Sequence, residues 1–308
     1  MPPPSPALPF IAQTGPTMED SVKYLEVQTS TVEGTNGVSY AYRHLGPRGR
    51  RPLVLLQHFR GNLENWDPEL IDALAASRDV IAFDNVGVGA TTGTTPHSFA
   101  QMADDAIVFV EALGLDSIDV LGFSIGSFIA QEIALTRPSL VAKLILASTA
   151  PQGAPGMHGR APDIIGAIGE PTTDAKGMLH AFFTKSPAGR DAGEQFLGRI
   201  FTRTAGRDEE TTWQTRNAQY DAVVKWGTPN FGMLQRLAAI QQPVFIANGD
   251  DDRMIWPGEP GWRPTRSTAD ILPDDRELLH GDVEGHPVIK TFTRWARPTS
   301  TTIAPHPS

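Results

Sequence analysis

Residues Gly122-Phe123-Ser124-Ile125-Gly126 stand between a strand-like run, Ser117-Ile118-Asp119-Val120-Leu121, and a stretch from 125 to 136 whose apolar residues recur at helical spacing until Arg137-Pro138. A strand that gives way to a helix across one residue needs a sharp turn, and Ser124 lies at its apex. Such a turn holds its central residue in a strained backbone conformation and tolerates only small neighbours, which Gly122 and Gly126 supply. The hydroxyl of Ser124 is then expected to project above the end of a sheet.

The rest of the chain supports a sheet of that kind. Continuous apolar runs recur at 52–57, 80–84, 118–122, 144–148 and 244–248, as expected for strands buried on both faces. Helix-periodic stretches at 68–76, 99–113 and 125–136 separate most of them. That alternation predicts an α/β fold with a doubly wound, mostly parallel sheet. Ahead of it, Tyr24-Leu25-Glu26-Val27-Gln28 and Val38-Ser39-Tyr40-Ala41-Tyr42 flank Asn36-Gly37, a hairpin signal that predicts an antiparallel start. The alternation breaks after Pro151 and resumes at Val244, with helix-like patches, Trp213 and Trp226 between. An insertion of that length predicts a helical cap over the active site, because it leaves and rejoins the sheet at the carboxyl edge, where open α/β sheets bind ligands. The expected organisation is a proline-rich disordered tail over 1–20, a first core segment over 21–150, the cap over 151–235, a second core segment over 236–296 and a disordered tail over 297–308.

Composition narrows the function classes. A chain of 308 residues is long enough for one large α/β domain with an insertion, and 40% hydrophobic content supports a substantial core. A formal net charge of −9 argues against nucleic acid or an anionic membrane as partner. With no cysteine there is no disulfide framework, thiolate nucleophile or cysteine-ligated metal. The longest apolar runs are strand-sized, and no basic segment precedes a signal-type apolar core, so the reading is a soluble, cytoplasmic protein, monomer or homodimer. The run Gly87-Val88-Gly89-Ala90-Thr91-Thr92-Gly93 looks like a dinucleotide loop, but its third glycine is one place late and no acidic partner follows at the right distance. Zinc-protease and nucleoside triphosphate motifs are missing, and nothing in the sequence calls for a cofactor or a metal.

A nucleophilic serine needs a base and an acid, and candidates follow in the order Ser, Asp, His, each just after an expected strand. Behind the run at 244–248 come three adjacent carboxylates, Asp250, Asp251 and Asp252. After a last strand-like stretch ending at His280, the loop Asp282-Val283-Glu284-Gly285-His286 offers His286 as the base; His280, within the strand, is its nearest rival. With these parts the chain resembles the α/β-hydrolases over roughly 27–296, and most closely the cofactor-free branch of esterases, lactonases and non-heme haloperoxidases. The resemblance implies Asp252 as the acid, with Asp250 as runner-up, and the backbone N–H groups of Phe59 and Ile125 as an oxyanion hole. It also implies a pocket near His58, Phe123, Trp213 and Trp226, a small-molecule ester or lactone as substrate, and water as the second reactant. Two positions depart from the family pattern. Gln57-His58 stands where His-Gly is usual, and Ser127 stands where a glycine often follows, which predicts looser packing of helix on strand. Peroxide in place of water, or a binding protein with slow turnover, are the alternative activities.

Overall fold

Each apolar run divides its side chains between two cores. The computed structural model describes residues 22–154, 162–170, 174–248 and 254–255. In β3 (Leu53–Leu56) and β4 (Val80–Phe83), Leu53, Leu55, Val80 and Ala82 join one core, while Val54, Leu56, Ile81 and Phe83 join the other. The same alternation continues in β6 (Val141–Ala147), where Ile145 faces the first core and Leu144 and Leu146 the second. Successive side chains of a strand point to opposite faces, so an unbroken apolar run requires cover on both. Helix α1 (Pro68–Ala75) covers the first core, and α2 (Phe99–Ala112) with α3 (Ile125–Thr136) covers the second.

One sheet of seven strands results, in the order β1-β2-β4-β3-β5-β6-β7, where β1 is Ser30–Glu33, β2 Ser39–Leu45, β5 Ile118–Phe123 and β7 Val244–Ala247. The five strands from β4 to β7 run parallel, with β2 antiparallel to β4 and β1 antiparallel to β2. The chain passes from β3 to β4 on one side and then to β5 on the other, so the loops leaving β3 and β5 diverge at a topological switch point. Register brings their ends level, with Leu56 opposite Gly122 and Phe123 opposite Ala147.

The hairpin forms around Asn36-Gly37 as expected, but its first strand is Ser30–Glu33, and Tyr24 to Val27 form a turn. Glu33 pairs with Ser39, and the turn is closed by Gly34 N–H to Val38 O at 2.8 Å. A turn that tight pairs the residues beside it, which leaves 24–28 beyond the ladder. Tyr24 is buried instead against the loop after β3, its hydroxyl donating to Leu63 O at 2.5 Å.

Between β6 and β7 the chain forms α4 (Pro162–Ile168), α5 (Ala175–Phe182), α6 (Pro187–Ile200), α7 (Trp213–Gly227) and α8 (Phe231–Gln235). Ala222, Val223 and Trp226 of α7 pack into the α2–α3 core. Arg199 of α6 reaches Asp67, the residue that caps α1, with Nε and Nη2 donating at 2.8 and 2.6 Å. Among the described residues no helix is long and apolar enough to cross a membrane.

A close carboxyl pair also joins this helical segment to the sheet. Asp84, buried directly after β4, accepts the Leu63 N–H at 2.8 Å and lies beside the carboxyl of Asp208, which precedes α7. Burial, then the adjacent Asp208 carboxyl, raise the Asp84 carboxyl well above its ordinary range, against opposing pulls from the Leu63 N–H and Arg43. In the unfolded chain Asp84 ionises near pH ~4, whereas folded it keeps its proton to higher pH. Between the two the folded state binds more protons, so this contribution is complete in acid and is lost as pH rises. Asp84→Asn retains an acceptor for Leu63 and offers Asp208 a permanent N–H donor. Its melting temperature is expected to exceed that of wild type at pH 8 and to converge with it near pH 4; a constant offset across that range would show that the pair does not titrate.

Candidate active site

Ser124 takes φ +54° and ψ −120°, a conformation costly for any residue with a side chain. Neighbours on all sides enforce it. Its N–H donates to Ala147 O at 2.9 Å, and its carbonyl accepts from Ser127 N at 2.8 Å and Ser127 Oγ at 2.6 Å. A Cβ on Gly122 would lie 2.4 Å from Gly126 O, and one on Gly126 would lie 2.1 Å from Leu56 O, so the start of α3 can approach β3 and β5 only with glycine at both positions. Other helices here begin with a side-chain cap, such as Asp67 for α1 and Ser98 for α2. Ser124 precedes α3 without making one, and among the described residues its hydroxyl is uncommitted.

Ser127, expected to loosen the packing, instead ties it. Fully buried, it has Ser124 O at 2.6 Å and Thr149 Oγ1 at 2.8 Å as the two acceptors within reach of its single hydroxyl proton, and Gln131 Nε2 donates to the same threonine at 3.0 Å. Asn248 completes the set, exchanging hydrogen bonds of 2.9 Å with both backbone groups of Thr149. The ends of β6 and β7 are thereby fixed relative to the Ser124 turn. A serine where glycine is usual is accommodated because its hydroxyl finds two acceptors in the space it occupies.

The loop after β3 reaches the same place. Gln57 Oε1 accepts the His58 N–H at 2.8 Å, and Gly61 N–H donates to His58 O at 2.9 Å. Among the described residues neither the Phe59 N–H nor the Ile125 N–H has an acceptor. His58 Nδ1 lies 2.9 Å from Phe59 O. A carbonyl can only accept, so Nδ1 carries the proton and Nε2 presents a lone pair. Burial pushes the imidazole down to about 4, so His58 is neutral at pH 7 and a poor base, in keeping with a pocket-lining position. Its ring meets Phe123 edge-on at 5.4 Å and Phe182 of α5 at 5.3 Å, which makes an apolar aromatic cluster beside the turn.

The two tryptophans occupy settings different from the pocket-lining expectation. Trp226 stacks on Phe128 at 5.0 Å, meets Phe99 at 5.6 Å and donates its indole N–H to Ala150 O at 3.1 Å, which places it in the core under α7. Trp213 is 44% exposed and stacks with Arg216 at 4.7 Å. A helix places residues thirteen apart on different sides, so one of these indoles faces the core and the other solvent. Phe182 is the aromatic residue that joins His58, and no motif in the sequence marks it. Asp250, Asp252 and His286 lie outside the described residues. A cavity of about 680 Å³ opens between α4 and α5, lined by Asp163, Lys176 and His180 among others, but Ser124 does not line it.

A parallel sheet with this strand order, carrying a serine on a strained turn at its switch point, defines an α/β-hydrolase, and the chain belongs to that family: residues 51–264 match the alpha/beta hydrolase fold. It is 35% identical over 244 residues to a protein of Mycobacterium tuberculosis described as a candidate non-heme bromoperoxidase, covering 76% of this chain and 86% of that one. A bifunctional esterase/perhydrolase of Acinetobacter calcoaceticus is 28% identical over 236 residues, covering 71% and 81% of the two chains. Among solved structures, an alpha/beta hydrolase fold protein from Chitinophaga pinensis superposes with a TM-score of 0.70 at 40% identity, covering 76% of this chain and 83% of that one. Similarity to a candidate carbamate hydrolase of Rhizobium rhizogenes is more local, 36% identity over 98 residues, and spans 37% of that protein's length.

Proposed function

We propose that this α/β-hydrolase cleaves a carboxylic ester or lactone of a small apolar molecule through an acyl-enzyme on Ser124. The observation that carries the reading is that, among the described residues, the Ser124 hydroxyl on its turn at φ +54° is uncommitted and the Phe59 and Ile125 N–H groups lack acceptors. In this reading His286 takes the hydroxyl proton as Oγ attacks the carbonyl carbon, and Asp252 accepts the other imidazole N–H and stabilises the imidazolium. The two amides hold the oxyanion, each such donor being worth about 3–4 kcal/mol in the transition state. Collapse of the tetrahedral intermediate expels the alcohol, which takes the proton from His286. Water then adds to the acyl-enzyme, gives a proton to His286, and releases the acid as Ser124 recovers its proton.

The preference for apolar substrates rests on His58, Phe123 and Phe182, an uncharged aromatic surface beside the serine. The helices from α4 to α8 serve as the cap, since Phe182 covers His58 and α7 packs on the α2–α3 core. The descriptions of the two relatives matched over most of their length favour a second outcome for the same acyl-enzyme, in which hydrogen peroxide replaces water and the product is a peracid.

Incubation with a fluorophosphonate and mapping of the adduct by mass spectrometry tests the reading. An adduct on Ser124 together with turnover of p-nitrophenyl butyrate is the expected result. A protein that neither labels nor turns over short-chain esters is not a serine esterase, and ligand capture without turnover then becomes its activity.

A further inference from the structure

We propose that Gln219, a residue of the cap helix α7, is a positioning residue that holds the oxyanion loop in its working conformation; this rests on the assignment of the Phe59 N–H as an oxyanion donor. The loop is a four-residue turn, 58–61, closed by Gly61 N–H to His58 O at 2.9 Å. Arg60, its third residue, has φ +63°, while Phe59 does not take a positive φ. That combination is a type II turn, which prefers glycine at the third position. With arginine there, the relaxed alternative is a type I turn, in which the Phe59–Arg60 peptide is rotated and its N–H and C=O exchange directions.

Both ends of that peptide are held. Phe59 O accepts from His58 Nδ1 at 2.9 Å, and the Arg60 N–H donates to Gln219 Oε1 at 2.7 Å. Gln219 is fully buried, so no water competes for the bond. Thr211, just before α7, donates its hydroxyl to Arg60 O at 2.6 Å, and Glu209 O accepts from Asn62 Nδ2 at 2.7 Å. Every one of these partners beyond His58 belongs to the cap. The turn beside the Phe59 N–H is thus kept in its strained form by groups of the helical segment between β6 and β7. Release of Gln219 frees the central peptide to rotate, which swings Phe59 O and removes the restraint that keeps the adjoining His58–Phe59 peptide, and with it the Phe59 N–H, in a fixed place.

The test compares wild type, Gln219→Leu, Gln219→Glu and Thr211→Val in hydrolysis of p-nitrophenyl butyrate and in inhibition by a trifluoromethyl ketone, whose serine adduct is an oxyanion. Gln219→Leu is expected to lower kcat by roughly 10²-fold, the scale of a misplaced catalytic group, with little change in KM. The ketone should weaken by the same factor. Gln219→Glu still accepts from Arg60 and should restore most of the lost kcat, a rescue that a packing role would not give. Thr211→Val, which removes the hydroxyl donor alone, should show a smaller loss of kcat at unchanged KM, and it carries the test if Gln219→Leu does not fold. Full kcat in either Gln219→Leu or Thr211→Val, or a Gln219→Glu variant no better than Gln219→Leu at equal melting temperature, overturns the positioning role. Those outcomes in a wild type that labels with fluorophosphonate leave the serine-hydrolase reading intact, whereas a wild type that does not label overturns both.

Discussion

Ser124→Ala is expected to lower kcat for p-nitrophenyl butyrate by ~10⁴- to 10⁶-fold, the loss that follows when a covalent nucleophile is deleted and only the oxyanion site remains. Ser124→Gly should be equally inactive, yet the two variants should differ in stability. Alanine keeps a Cβ at φ +54° and ψ −120° and so keeps the strain, while glycine relieves it. Relief of a strained residue is worth about 1–3 kcal/mol, against about 0.5–1 kcal/mol of extra backbone entropy lost on folding a glycine. The balance favours glycine by about 1 kcal/mol, since the Ser124 side chain makes no capping bond that either variant forfeits. Urea unfolding of the two proteins measures it. An alanine variant more stable than the glycine one by about 0.5–1 kcal/mol would mean that the turn carries no strain, and ester turnover by Ser124→Ala at more than trace level would remove this serine from the chemistry.

Glu64→Ala is expected to cost about 3–5 kcal/mol, because it strands a buried charge. Glu64 and Arg43 are 4% and 1% exposed and form a hydrogen-bonded ion pair, with Arg43 also stacked over the Tyr24 ring at 5.2 Å. Arg203 and Arg207, in the segment after α6, lie 3.9 and 3.7 Å from the same carboxylate, and Asp208 N–H donates to it at 3.2 Å. Removing Glu64 leaves guanidinium groups facing one another without a counter-charge. Replacing both partners with apolar residues of similar size, Arg43→Met with Glu64→Leu, should recover only the part of the loss that comes from the stranded Arg43, since Arg203, Arg207 and the Asp208 N–H still lose their carboxylate. The ion pair would be energetically equivalent to a surface one if Glu64→Ala cost less than about 1 kcal/mol in urea unfolding.

Much of the architecture was legible because it depends on side-chain pattern over short windows. The apolar runs at 52–57, 80–84, 118–122 and 244–248 became β3, β4, β5 and β7 with no end moved by more than one residue, and the helices at 68–76, 99–113 and 125–136 appeared at nearly the same bounds. The strand at 144–148 proved longer, beginning at Val141, since Val141 pairs with Ile118 across the sheet. Tyr24 to Gln28 has strand-like alternation but forms a turn, because the hairpin register excludes it and Tyr24 finds better burial against the loop after β3.

At the site, the Gly-x-Ser-x-Gly spacing and its place between strand and helix were enough to locate Ser124 and the strained turn, because both causes are local: an abrupt change of backbone geometry and two close approaches that only glycine allows. The partners that hold the site were not legible. Gln219, Thr211, Phe182 and Asp208 sit in the helical segment with no distinguishing neighbours in sequence, and each acquires its role from a residue more than a hundred positions away in the chain. The fit of Ser127 was not legible either, since its hydroxyl is accommodated by Thr149 from the loop after β6. Sequence by itself determined the strands, the layers and the strained Ser124 turn, as these follow from periodicity and local sterics. Tertiary structure alone decided which side chains restrain the loop after β3 and which carboxyl is pushed toward its protonated form, because a hydrogen bond or a pKa depends on what folding brings within a few ångströms and on how much water it removes.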